Sequence, residues 1–196
     1  LSSIRRHAGE YHSAMSRVRY NHGMQQAGDT ARERLEQQIR FVVELDKLKT
    51  IYRRTYVISE RRKENSSEHS WQLAIMAMVL SEYSNQPVDL LRVLKMVVIH
   101  DVVEIDAGDA FLYDAQANLE KSAREQAAAD RLFGLLPRDQ EQEFRRLWDE
   151  FEERTTPESR FAAALDRFIP QILNYHTEGG SWKEHALEYD RVVAKN

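Results

Sequence analysis

The chain has 196 residues, of which 42% are hydrophobic and 31% are charged, and its formal net charge is -4. This composition is ordinary for one globular domain, and the near balance of charge argues against a nucleic acid polymer as partner. The absence of cysteine excludes disulfides and thiolate metal sites, so any metal binds through nitrogen and oxygen, and it is compatible with a cytoplasmic location. No apolar run approaches the roughly 20 residues that cross a bilayer, so we expect no membrane partner.

The beginning of the chain differs in composition from the rest. Residues 1–30 are rich in Arg, His, Ser and Gly and show no sustained helical period. We interpret them as an N-terminal extension outside the core that need not be rigid, and residues 31–196 as the folded domain. The sequence leaves open whether the extension is a natural arm, a weak targeting segment or a product of start-site choice.

Beyond the extension, apolar residues recur at three- and four-residue intervals, which predicts a succession of amphipathic helices. The predicted helices are Ala31 to about Arg53, Glu68 to Val79, Pro87 to Ile99, Ala115 to Leu135, Asp139 to Glu153, Pro157 to Tyr175, and a last one after Trp182. The apolar face of the first consists of Leu35, Ile39, Val42, Val43, Leu45 and Leu48. Ser66 or Ser67 is the expected cap of the second. Strand alternation is hard to find, so the prediction is an all-α helical bundle.

Ionisable residues interrupt the apolar faces at three places. His100 and Asp101 directly follow the apolar run 96–99, where burial without partners would cost several kcal/mol, on the order of 2–7 for a polar group. His69 stands at the start of an apolar helix, and Asp166 lies inside another. Taken singly, each is more often a cap or a hydrogen-bonded core residue. Together they supply two imidazoles and two carboxylates, which suit one divalent cation such as Mn, Co, Fe, Ni, Zn or Mg.

Two more carboxylates follow the His-Asp pair. Glu104 falls one helical turn beyond His100, and Asp109 comes soon after a glycine. Because so many ionisable groups gather around one predicted helix end, the joint pattern favours a metal-dependent active site over a set of separate caps.

Other polar segments have less specific interpretations. Lys121 and Glu125 belong to a run of mixed charges, which predicts a solvated helix face. The segments around Asn174 and Trp182 are typical of a turn with surface groups, or alternatively of the border of a substrate pocket.

Three segments in order resemble the signature stretches of HD-domain hydrolases, in particular the branch that contains 5′-deoxynucleotidases. These segments are 61–71, 99–109 and 164–167, and the resemblance extends over roughly residues 33–196. It implies an HD-domain helical bundle, a homodimer and a mononuclear metal centre. The ligands that it implies are His69, His100, Asp101 and Asp166.

The same resemblance implies that Glu104 and Asp109 are catalytic carboxylates. It also implies that an arginine well before the first histidine contacts the phosphate of the substrate, and both Arg53 and Arg54 occupy that neighbourhood. We favour Arg53. The related branch has an aromatic residue directly after this arginine, whereas Arg54 stands there in this chain. The activity class is therefore better predicted than the substrate.

The sequence thus predicts a metal-dependent phosphohydrolase acting on a small phosphorylated substrate. The favoured activity is that of a phosphomonoesterase for nucleoside 5′-monophosphates, deoxynucleotides among them, or similar small phosphates. Alternatives are a phosphodiesterase, a pyrophosphohydrolase, an HD-fold oxygenase with two metals, or a non-catalytic nucleotide-sensing module. A second metal would need extra histidines near the motifs, and the sequence supplies none there.

Overall fold

The computed structural model describes residues 30–60, 62–109, 121–188, 190, 192 and 193. The predicted N-terminal extension lies outside these residues except for Thr30, which already belongs to a helix. Among the described residues, every helix is too short or too polar to cross a bilayer.

The described part of the chain is a helical bundle with one short β-hairpin. Its helices are α1 (residues 30–44), α2 (Ser66–Leu80), α3 (Leu90–Ile99), α4 (Glu104–Ala107), α5 (Lys121–Phe133), α6 (Arg138–Glu153), α7 (Pro157–His176) and α8 (Gly180–Glu184). Turns of 3₁₀ helix cover Leu45–Thr50, Ser81–Tyr83 and His100–Val103. The hairpin consists of β1 (Tyr52–Tyr56) and β2 (Lys63–Asn65). The prediction of an all-α class is confirmed, with the hairpin as a local departure from it.

The segment predicted as the first helix is divided in the structure. Helix α1 gives way to a 3₁₀ turn at Leu45, and Arg53 lies in β1 rather than at a helix end. The antiparallel pairing places Tyr52 opposite Asn65 and Tyr56 opposite Lys63, with an irregularity between them. Residues of β1 alternate between exposed and more buried positions, as a strand at the edge of a core does. The prediction for this segment was therefore wrong beyond residue 44.

The predicted apolar face of α1 is only partly buried. Of that face, Leu48 is buried and Leu45 is partly buried, but the rest is exposed to solvent; Phe41, which was not assigned to the face, enters the core instead. The exposed members are Leu35, Ile39, Val42 and Val43, each more than half exposed.

The caps of the next two helices lie at residues other than those predicted. Asn65, not Ser66 or Ser67, caps α2: its side chain accepts a hydrogen bond from the Glu68 amide at 3.0 Å, and Glu68 accepts one from the Asn65 amide in return. This reciprocal arrangement is a capping box, and it connects β2 to α2 without an intervening loop. Asp89 caps α3, so Pro87 precedes that helix instead of lying in its first turn.

The core lies where α3 packs against α2, α6 and α7, and where α5 packs against α4 and α6. Fully buried side chains at its centre are Leu73, Val93, Met96, Val97, Leu132, Phe133, Trp148 and Ile169. This packing brings together the start of α2, the end of α3 and the middle of α7, which are the positions of the predicted metal ligands.

Trp148 connects this core to the turn that follows α3. Its ring is 1% exposed, and its Nε1 donates a hydrogen bond to the carbonyl of His100 at 3.2 Å. We expect Trp148→Phe to lower the free energy of unfolding by about 1–3 kcal/mol, because the buried carbonyl loses its donor. Urea unfolding of the variant measures this. Trp71→Phe, at a position that is 68% exposed, is the control and should change stability by less than about 0.5 kcal/mol. Equal losses of stability in Trp148→Phe and Trp71→Phe would contradict a stabilising role of the Trp148 hydrogen bond.

Candidate active site

The four residues predicted as metal ligands lie together in the structure. His69 belongs to the first turn of α2, His100 and Asp101 to the 3₁₀ turn after α3, and Asp166 to α7. Asp166 Oδ1 is 2.9 Å from His69 Nε2 and 3.6 Å from His100 Nε2, while Asp101 Oδ1 is 3.0 Å from His100 Nε2. Donor atoms of His69, His100 and Asp101 all fall within 4.8 Å of one another.

The orientation of the His100 ring suits a metal ligand. Its Nδ1 is 2.9 Å from the carbonyl oxygen of Val97, and because a carbonyl only accepts, Nδ1 carries the ring proton. When the ring is neutral, the lone pair of Nε2 is then directed toward Asp101 and Asp166. Nε2 is buried, and its contacts with these carboxylates do not have hydrogen-bond geometry. An unsatisfied imidazole nitrogen facing two carboxylates is a donor set that fits a divalent cation.

Without a cation, the cluster balances its charges internally. Burial disfavours a charged His100, but Asp101 and Asp166 outweigh this effect and raise its pKa well above its ordinary value. Burial likewise opposes ionisation of Asp101 and Asp166, yet the neighbouring imidazoles and Arg53 hold the pKa of each carboxyl below its ordinary value. The cluster therefore attracts positive charge, whether from a proton or from a cation.

Arg53 reaches into this cluster from β1. Its Nη1 donates a hydrogen bond to Asp101 Oδ2 at 2.7 Å, and its Nη2 is 3.7 Å from Asp166 Oδ1. The side chain is 14% exposed, and burial disfavours its charge, but the surrounding carboxylates raise its pKa above the ordinary arginine value. Beside the cluster lies a cavity whose wall includes His100, Asp101 and Asp166. Arg54, the next residue of the strand, is exposed and lines this cavity.

The two predicted catalytic carboxylates line the same cavity. Glu104 is 7% exposed and accepts a hydrogen bond from Ser66 Oγ at 2.7 Å. Burial, together with the charge of Asp101, raises the pKa of Glu104 to about 8. Asp109 follows Gly108, whose φ of 75° is readily adopted by glycine and redirects the chain at the end of α4. Burial also raises the pKa of Asp109.

The cavity has a volume of about 270 Å³, and its wall extends beyond the predicted residues. Lys121 and Glu125 lie in the wall and form an ion pair at 3.2 Å. The prediction of a solvated helix face was wrong for Glu125, which is 7% exposed, whereas the side chain of Lys121 is 38% exposed. Asn174 and Trp182 border the cavity, in agreement with the second of the two interpretations above. Asn174 Oδ1 accepts hydrogen bonds from the amide and hydroxyl of Ser181, which fixes α8 beside the site.

Sequence reasoning missed three buried polar residues of this region. They are Thr55, Glu64 and Ser66, which are between 0% and 6% exposed. Glu64 accepts a hydrogen bond from Thr55 Oγ1, and Ser66 supports Glu104. No periodic apolar pattern surrounds these residues, and the signal that could have found them is the unrecognised hairpin, since strand alternation turns Arg53 and Thr55 to one side.

The model of the HD domain family matches residues 45–196. The chain belongs to this family. The predicted family and the all-α fold are thereby confirmed. The identity of the metal and the role of each residue remain predictions.

Two curated relatives and one solved structure illustrate the similarity. The 5′-deoxynucleotidase HDDC2 of Xenopus laevis is 31% identical over 70% of this chain and 68% of its own length. The Homo sapiens 5′-deoxynucleotidase HDDC2 is 30% identical over 66% of this chain and 62% of its own length. A crystal structure described as a predicted metal-dependent phosphohydrolase from Magnetospirillum magnetotacticum MS-1 is 50% identical, with a TM-score of 0.79. That alignment covers 83% of this chain and 82% of the other.

The geometry of the cluster leads to a prediction about metal retention. His100→Ala and Asp101→Ala should each abolish it, because each removes a buried donor whose partners converge on one point. Elemental analysis of the purified variants measures the metal content. His176→Ala, at an exposed position at the end of α7, is the control and should keep the wild-type content. Near-stoichiometric metal in both His100→Ala and Asp101→Ala would remove these residues from the ligand set.

Proposed function

We propose that this protein is a metal-dependent phosphomonoesterase that releases phosphate from nucleoside 5′-monophosphates, deoxynucleotides among them. The observation that carries the proposal is a cluster of two imidazoles and two carboxylates beside a cavity whose wall includes a buried arginine and a carboxyl group of raised pKa. Relatives named 5′-deoxynucleotidase support the choice of substrate class.

The residues that would hold the cation are His69, His100, Asp101 and Asp166. A divalent ion there would supply a Lewis acid that polarises a phosphoryl oxygen, acidifies a water and lowers the pKa of nearby carboxyl groups. Two nitrogen and two oxygen donors are compatible with Mn, Co, Fe, Ni, Zn or Mg, and the donor set does not choose among them.

The two cavity carboxylates divide the proton transfers in our proposal. Asp109 orients the attacking water and accepts its proton, because it lies in the cavity wall without being one of the four ligands. Glu104, whose burial favours the protonated form, donates a proton to the 5′-oxygen as the phosphorus-oxygen bond breaks. Ser66 keeps this carboxyl group in place through its hydrogen bond.

Arg53 is proposed to bind the phosphoryl oxygens. Its guanidinium now lies against Asp101 and Asp166, which are the carboxylates whose charge a bound cation would balance. With that charge balanced, the same N-H groups become available to a phosphate, whose planar pairs of oxygens match the guanidinium fork. The ring of Phe151 and the side chain of Trp182 offer apolar wall surface for the nucleoside.

The proposal includes a homodimer in the cytoplasm. The exposed apolar stripe on α1, formed by Leu35, Ile39, Val42 and Val43, is a surface that a second copy could cover. Sedimentation velocity tests the dimer.

The proposed cytoplasmic location rests on composition. A chain without cysteine needs no oxidising compartment, which supports that location.

A phosphate-release screen tests the function as a whole. Deoxynucleotides, ribonucleotides and sugar phosphates are each supplied with Mn²⁺, Co²⁺ or Mg²⁺, and release of inorganic phosphate is measured. Release from nucleoside 5′-monophosphates supports the proposal. Metal-dependent nucleotide binding without any turnover would instead indicate a sensing module.

Replacement of the cavity arginine separates phosphate binding from metal binding. We expect Arg53→Ala to lower kcat/KM by about 10- to 100-fold, the equivalent of a charge-assisted hydrogen bond of about 1.5–3 kcal/mol. The metal content should stay at the wild-type level, because the guanidinium is not a ligand. Arg54→Ala, a change of the adjacent exposed arginine, is the matched control. Impaired kinetics in Arg54→Ala alone would transfer the phosphate contact to that residue.

Glu104→Gln distinguishes catalysis from structural support. The amide keeps the shape of the side chain and can still accept the Ser66 hydrogen bond, so fold and metal content should be preserved. Turnover should fall by about 100-fold or more, because the amide cannot donate the proton that the leaving oxygen needs. Single-turnover phosphate release, metal content and melting temperature are measured together. Wild-type turnover in the metal-loaded variant would exclude Glu104 from the mechanism and leave Asp109 as the acid-base candidate.

A further inference from the structure

Glu64 is a buried carboxylate to which the proposed mechanism assigns no role. It lies in β2, immediately before the Asn65 cap of α2, and is 2% exposed. A carboxylate so deeply buried is costly unless hydrogen bonds and positive charge compensate it. Its surroundings therefore indicate what it does.

Three groups face the same oxygen of Glu64. Thr55 Oγ1 donates a hydrogen bond to Oε1 from the facing strand. Arg53 Nε lies 3.8 Å from Oε1, and His69 Nδ1 lies 3.9 Å from it. The carboxylate thus stands between the proposed phosphate contact and the first proposed metal ligand.

Nδ1 of His69 needs a hydrogen-bond acceptor such as the Glu64 carboxylate. Nε2 is directed at the cluster, 2.9 Å from Asp166 Oδ1 and 4.0 Å from Asp101 Oδ2, so Nε2 is the atom that would bind a cation. A neutral ring with its lone pair on Nε2 carries its proton on Nδ1. The ring is fully buried, and Nδ1 has no hydrogen-bond partner among the described residues.

Metal-bound histidines generally donate their other N-H to a carboxylate, a carbonyl or a water. We infer that Glu64 is a positioning residue that accepts the Nδ1-H of His69 once the cation is bound, and so fixes the ring with Nε2 toward the metal. The same carboxylate forms an ion pair with Nε of Arg53, so that the outer nitrogens of the guanidinium are left for the phosphate. This inference rests on the proposed metal centre at His69.

A purely structural role of Glu64 makes a different prediction. If the carboxylate only paired with Arg53 and Thr55 inside the hairpin, its neutralisation would lower stability and leave the affinity for metal unchanged. If it positions His69, its neutralisation lowers the affinity for metal directly, because the imidazole loses the negatively charged acceptor that makes its other nitrogen a better metal donor.

The closing experiment compares Glu64→Gln with Glu150→Gln in the full chain. Glu150 is a matched control, since it also accepts a hydrogen bond from a threonine, Thr156, and pairs with an arginine, Arg92, but it does not line the cavity. Mn²⁺ affinity is measured by titration in a chelator buffer. We expect a loss of about 10- to 100-fold for Glu64→Gln, the usual effect of removing such a partner, and no change for Glu150→Gln.

A spectroscopic signal accompanies the affinity measurement. In ¹⁵N-labelled protein loaded with Zn²⁺, the Nδ1 proton of His69 should appear far downfield in the wild type, and it should move upfield in Glu64→Gln. A merely structural role of Glu64 would leave this resonance in place.

Each outcome decides between the inference and the proposal beneath it. Wild-type protein that binds no Mn²⁺ would overturn the proposed metal centre and this inference with it. The inference alone would be overturned if the wild type binds metal and the affinity of Glu64→Gln is within twofold of the wild-type value.

If Glu64→Gln does not fold, Thr55→Val replaces it, since this substitution removes the hydroxyl that holds Glu64 and retains the carboxylate. We then expect a loss of about threefold or more, and unchanged affinity would overturn the inference.

Discussion

The burial of several carboxylates at one point is the constraint on which the rest of the site depends. Asp101, Glu104 and Glu64 are each less than 10% exposed, and Asp166 completes the group. Such charges cannot share a region of low dielectric without compensation. Arg53 and the imidazoles supply part of it, and the proposed cation would supply the rest. The hairpin contributes to this charge compensation, because β1 places Arg53 next to the buried carboxylates.

The same crowding of charges shifts the pKa values of Asp101 and Glu104 in opposite directions. Asp101 keeps its charge because His100 and Arg53 adjoin it, whereas Glu104 faces the negative charge of Asp101 and retains a proton to higher pH. One carboxylate is thus suited to ligation and the other to proton donation, although they are three residues apart.

The helices and the four candidate ligands were predictable because both leave strong signals in sequence. Helical periodicity extends over many residues, and His100-Asp101 breaks an apolar run abruptly. The hairpin was not predictable by the same means, since β2 has only three residues and β1 carries two adjacent arginines. Glu64 and Glu125 look like ordinary surface acids in sequence, and only the folded chain shows that they are buried. The cap at Asn65 was missed by one residue because serines directly follow it.

The site is assembled from distant parts of the chain. His69 and Asp166 are 97 positions apart, and Arg53 reaches Asp101 across 48. Contacts of such long sequence separation form late, after much loop entropy has been lost. A partly folded chain therefore lacks the complete donor set, and only the assembled bundle can bind a cation tightly. By mass action, the proposed ion would then stabilise the finished bundle relative to every unfolded or partly folded form.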